Sequence, residues 1–134
     1  MKTKSRFADR FSIVRNRIEA DLGGGVTAVA HLEHDSVATP DEFDCYTARE
    51  IREFNAGDWY YGTVTLKVAV NGTTVGRYLA AIGAVEVRPD RGDGFDAAVE
   101  AAEELLEECP VAKIVGDFAK QATAAARKLK AKKQ

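Results

Sequence analysis

Residues 58–87 read DWYYGTVTLKVAVNGTTVGRYLAAIGAVEV, two β-prone runs that meet at Asn71-Gly72. Both central residues of a type I′ turn need φ > 0, and Asn-Gly is well suited to supply it. The stretch therefore predicts a long hairpin. A two-residue turn pairs Val70 with Thr73, Val68 with Val75 and Leu66 with Arg77. One face then carries Val64, Leu66, Val68, Val70, Val75, Leu79, Ala81, Val85 and Val87, and has to be core. Arg77 falls on that face too, an awkward place for a charge. A bulge near Gly76 relieves the conflict, since a strand glycine often marks one. The opposite face carries Trp59, Tyr61, Thr63, Thr65, Lys67, Tyr78 and Ile82. That face is either packed under a helix or open as a partner surface.

Upstream, Phe7, Phe11, Val14, Ile18 and Leu22 fall at helical steps and predict an N-terminal helix over 5–22. Gly23-Gly24-Gly25 would end it. The triple glycine is not read as a phosphate loop, because no strand precedes it and no Gly-Lys-Ser/Thr closes it. Residues 26–33 alternate, with Val26, Ala28, Ala30 and Leu32 on one face, as in a strand. The polar stretch after it, with Pro40, is a loop. His31 and Glu33 share a strand face that His34 does not, so three metal ligands do not converge. Asp35, Asp41, Glu42 and Asp44 miss the calcium-loop spacing. Thr47 and Glu50 have the spacing of a capping box, which starts a short helix over 47–54.

Downstream, RPDRGDG (88–94) is a turn cluster, and its RGD is read as chance. Two amphipathic helices follow, over 95–109 and 111–131, separated by Pro110. Cys109 is expected in the core.

The 134 residues fit a single domain, 1–134, with basic ends that fray at about 1–4 and 128–134. Hydrophobic residues at 46% and charged ones at 30% exclude a disordered chain. The net charge of −2 hides a segregation. Asp93, Asp96, Glu100, Glu103, Glu104, Glu107 and Glu108 form an acidic block, while both ends are basic. The ends are therefore expected to lie over the acidic helix or to serve a polyanion. Charge throughout 1–17 leaves no leader-like apolar run, and Cys45 and Cys109 lack ligand-like spacing, which points to the cytoplasm. No membrane partner is expected. The expected fold is α+β. It comprises an N-terminal helix, about three antiparallel strands centred on the long hairpin, and two C-terminal helices packed on one sheet face.

One resemblance covers the central half, HLEHDSVATPDEFDCYTAREIREFNAGDWYYGTVTLKVAVNGTTVGRYLAAIGAVEV (31–87). It resembles a group of small phage and prophage proteins in which an acidic loop and short helix lead into a "DW-aromatic-x-G-V-x-V" strand. In those proteins a turn and a second strand ending in "SLWGIE" follow. Asp58, Trp59, Tyr60, Gly62 and Val64 fit the first part, and Gly76, Gly83, Val85 and Glu86 the second. The serine and tryptophan of that second strand are missing here, with Ala80 and Ile82 nearby, and the register needs one extra residue. The resemblance implies a mobile-element origin, and its motif is structural.

No catalytic triad, metal site or cofactor motif is present, so a non-enzymatic protein without cofactor is expected. The function read from these residues is the binding of a host protein, for example a component of host defence. Its surface would be Trp59, Tyr61, Tyr78 and Lys67, or the acidic loop with Asp35, Asp41 and Asp44, because aromatic residues supply large contact area. The alternative is a nucleic-acid-binding accessory protein. There, sheet aromatics stack bases while Arg127, Lys128, Lys130, Lys132 and Lys133 hold phosphates. The Ala-rich last helix also suits a homodimer.

Overall fold

The computed structural model describes residues 6–132. Its centre is β3 (Tyr60–Val70), the first arm of the expected hairpin. On one side β3 pairs with β2 (Val26–His34), which pairs in turn with β1 (Arg17–Gly23), all antiparallel. On the other side β3 meets two short strands, β4 (Thr73–Arg77) beside its end and β5 (Ile82–Val87) beside its start. The class is α+β, with a five-stranded sheet where about three strands were expected.

The Asn71-Gly72 turn forms as its chemistry requires, with φ of 50° and 84°. Beyond it the register slips: Val68 faces Gly76 while Ala69 faces Thr74, so Val75 is the extra residue of a bulge. The expected bulge near Gly76 is present, and it removes the buried-charge conflict. Arg77 now stands opposite Lys67 on the outer face. The same slip carries Tyr78 to the core side, where it packs against the hydrophobic cluster. Its expected place beside Trp59 and Tyr61 is thereby corrected.

The expected N-terminal helix is overturned. Residues 6–16 are irregular apart from a Ser12–Arg15 bridge, and 17–23 form β1. Within RIEADL the apolar residues Ile18, Ala20 and Leu22 alternate with Arg17, Glu19 and Asp21, the period of a strand. That short alternation prevails because it completes the face that β2 presents with Ala28 and Ala30. Phe7 and Phe11 still enter the core, but Val14 of the supposed stripe is 95% exposed. The three glycines join β1 to β2, all with positive φ.

Helix α1 (Ala48–Asn55) starts with both halves of the capping box in place. Helix α2 (Asp96–Glu108) lays Ala98, Ala102, Leu105 and Leu106 on the Val64/Leu66/Val68/Val85/Val87 face, and Cys109 is buried behind them. The N-terminal segment lies over acidic α2, as charge predicts. Arg10 pairs with Asp96, and the Arg6 amide donates to Glu103 at 2.8 Å. Helix α3 (Val111–Lys132) departs from the expected two-helix cover. Val111, Ile114 and Val115 at its start pack against the core, where the helix meets β3 and β4.

Candidate interaction surfaces

The Trp59/Tyr61 face is a second, smaller core. Both side chains are 1% exposed, covered by residues from the segment between β2 and β3. Ring centroids lie 5.3 Å (Tyr46–Trp59), 5.1 Å (Phe54–Trp59) and 5.2 Å (Trp59–Tyr61) apart, with Phe43 5.9 Å from Tyr61. These are the spacings of packed aromatic pairs. The capping box places α1 so that its Glu50 carbonyl accepts from Trp59 Nε1 at 2.9 Å. Arg88, arriving after β5, lies 4.5 Å from the Trp59 ring centroid and pairs with Glu50 at 3.2 Å and Glu86 at 3.4 Å. Tyr46 donates to Glu86. Burial, then that carboxylate, pushes the Tyr46 hydroxyl far above the ordinary phenol range. The Glu50 carboxyl is held low, first by the Thr47 backbone N–H.

Trp59 and Tyr61 therefore present no ring to a partner, because the loop and α1 occupy that place. Tyr78 is half-buried on the other face. Lys67 lies on the outer face but away from the aromatic cluster, in a trough beside β4. The structure does not bring these four residues into one surface.

In the acidic loop, Asp35 is a structural anchor. Its carboxylate accepts from the backbone of Val37 (3.0 Å), Ala38 (3.2 Å) and Ala84 (3.2 Å), tying the loop to β5. Those N–H groups hold its pKa below the ordinary carboxylate value, Val37 foremost. A depressed folded-state pKa stabilises the fold above the unfolded value, and this stabilisation is lost as pH falls through the folded one. Asp35→Ala is expected to lower the urea midpoint at neutral pH, with the gap to wild type closing below about pH 4. Equal gaps at both pH values would contradict the assignment. Asp41 and Asp44 are exposed and remain available, as are the neighbouring Val37 and the edge of Phe43.

The feature that sequence reading missed is how α3 is used. Every described residue from Gly116 onward is exposed. Val115, Phe118, Ala122, Ala125 and Leu129 alternate at steps of three and four, forming one line along the helix. The start of this apolar line packs on the sheet beside β4; its continuation runs past the body uncovered, with Phe118 40% and Leu129 63% exposed. Half a turn away, Lys113, Lys120 and Arg127 line up at steps of seven, and Lys128, Lys130 and Lys132 crowd the last turns. The Lys113–Asp117 pair at 2.9 Å supports the packed start of the helix, and alanines support the part that the body does not cover. Arg127, Lys128, Lys130 and Lys132 are thus brought together on one exposed helix, while Lys133 lies outside the described residues. The stripe is visible in the sequence; that the domain leaves half of it uncovered is not.

His31 and Glu33 share the outer face and His34 stacks on Tyr60 instead, with centroids 5.1 Å apart. Among the described residues no helix is long and apolar enough to cross a membrane. No family model, curated protein or solved structure matches the chain.

Proposed function

We propose that this is a non-catalytic interaction protein of a phage or other mobile element, and that it binds a host protein through the free half of α3. The observation that carries the reading is the apolar line that continues past the domain, with Phe118 and Leu129 exposed. Large apolar side chains aligned on an otherwise polar helix are the anchors of helix-in-groove recognition. The exposed Asp41 and Asp44 offer a secondary contact. A component of host defence is the kind of partner that the mobile-element resemblance suggests.

A second reading, nucleic-acid binding, draws on the basic residues of the same helix. Lys120, Arg127, Lys128, Lys130 and Lys132 project without an ion pair among the described residues, and phosphate contacts need such groups. The two readings use different residues, so substitutions separate them. The full chain is used as bait in host lysate with and without nuclease, beside Phe118→Glu/Leu129→Glu and Arg127→Glu/Lys130→Glu variants. The protein-partner reading expects a stoichiometric protein that survives nuclease, disappears with the first variant and persists with the second. Loss with nuclease and with the second variant alone would replace it by the nucleic-acid reading. Both pairs are exposed, so circular dichroism should show unchanged folds.

A further inference from the structure

The outer face of the sheet has an open half away from the aromatic cluster. There β3, β4 and the 78–81 segment enclose a trough of about 420 Å³, lined by His31, Thr65, Lys67 and Arg77, with Glu33 as its one carboxylate. The size suits a small ligand. Lys67 and Arg77 are direct cross-strand partners, and neither makes an ion pair among the described residues. Like charges directly opposite on a ladder destabilise it, so this pair asks for a compensating anion. The bulge at Val75 is what puts Arg77 there.

Arg17 adds a third cation close to the pair, across β2 from it. His31 pairs with Arg17 on one side and Thr65 on the other. Its pKa is lowered by burial first, then by Lys67 and Arg17, against a smaller opposing effect of Glu33. Its Nε2 is buried and has no hydrogen-bond partner among the described residues. Arg17 is engaged by Glu19 at 2.8 Å, which leaves Lys67 and Arg77 as the free charges.

We propose that this trough binds a small phosphomonoester, its phosphate held between Lys67 and Arg77 with Thr65 as a further hydrogen-bond group. Two cations side by side match a dianion better than a single carboxylate does. A phosphomonoester carries about −1.5 to −2 charges near pH 7 and three acceptor oxygens. Arginine can hold two of these oxygens in its fork, while lysine acts as a point charge. The apolar wall of Leu79, Ala80 and Ala81 suits the ester's organic group.

The test is an NMR titration of the full chain with inorganic phosphate and with phenyl phosphate, at low ionic strength. Saturable shifts are expected at residues 31, 65, 67 and 77, tighter for phenyl phosphate, with the His31 pKa rising on saturation. Lys67→Gln and Arg77→Gln should each weaken binding about tenfold, as expected when one charge-assisted partner is lost. Without ligand each variant should melt at or above the wild-type temperature, because it removes like-charge repulsion. Linear shifts that do not saturate by about 10 mM, or that are unchanged in the variants, would overturn the proposal. So would a response to single-stranded oligonucleotide alone.

Discussion

Trp59→Ala is expected to remove about 3–5 kcal/mol of folding stability, the usual cost of truncating a large buried aromatic. Small domains have about 5–15 kcal/mol in total, so the variant should be close to unfolding. Several losses coincide. The ring is 1% exposed and is packed against Tyr46, Phe54 and Tyr61. Removing the indole also takes from the Glu50 carbonyl its side-chain donor and from Arg88 the face it lies over. Trp59→Phe separates these contributions: it keeps most of the packing and loses the Nε1 bond, for about 1 kcal/mol. The measurement is urea unfolding followed by far-UV circular dichroism, because Trp59 is the chain's one tryptophan and its own fluorescence vanishes in the variants. A cost under about 1 kcal/mol for the alanine variant would mean that the segment between β2 and β3 does not close over the ring. The aromatic face would then return as a candidate partner surface.

The same residues show how far the sequence could be read. Where one local signal dictates the geometry, it was sufficient. Asn71-Gly72 forms its turn, Thr47 and Glu50 cap α1 reciprocally, and Val26, Ala28, Ala30 and Leu32 face the core. Where two periods compete, the sequence misled. Phe7, Phe11, Val14, Ile18 and Leu22 satisfy a helical spacing that spans more residues than the strand alternation of 17–22. Yet a β1 edge on β2 adds ladder hydrogen bonds and buries Ile18 and Ala20, whereas a helix would do neither at that place. Tertiary pairing decided, as it often does against local pattern. The candidate surfaces failed for a different reason. Whether Trp59 and Tyr61 are core or contact depends on where the chain of 35–58 lies, and no spacing rule encodes that placement. Tyr78 left the aromatic face because one bulge residue inverts every side chain beyond it. The same inversion assembled the Lys67–Arg77 pair. Charge, by contrast, was legible at one end only: the N-terminal segment sits on acidic α2, while the basic end of α3 projects elsewhere.

Gly94→Ala should cost at least about 2 kcal/mol, although a single methyl is added, because the space is occupied by backbone. A Cβ at Gly94 would stand 1.7 Å from the Arg88 carbonyl oxygen and 2.6 Å from its carbon, with the Arg91 oxygen at 3.1 Å. A flexible side chain could swing away, but a carbonyl moves only with its chain. Here the chain is fixed at both ends. Arg88 N–H donates to the Gly94 carbonyl at 3.0 Å, and Gly94 N–H donates to Arg91 at 3.1 Å, which closes the turn between β5 and α2. Immediately before it, Val87 is fully buried and paired with Tyr60, and the Arg88 side chain is held by Glu50, Glu86 and Trp59. Gly92, two residues earlier in the same loop, meets nothing within 4 Å at its Cβ position. Gly92→Ala should therefore fall within about 0.5 kcal/mol of wild type, making it a control of identical chemistry. Because Arg88 joins the turn to the aromatic core, Gly94→Ala should also change the near-UV circular dichroism and emission of Trp59, whereas Gly92→Ala should not. Equal stabilities for the two variants would mean that the 88–94 turn is looser than this packing allows. A stability loss with an unchanged tryptophan signal would confine the damage to α2 and uncouple the two cores.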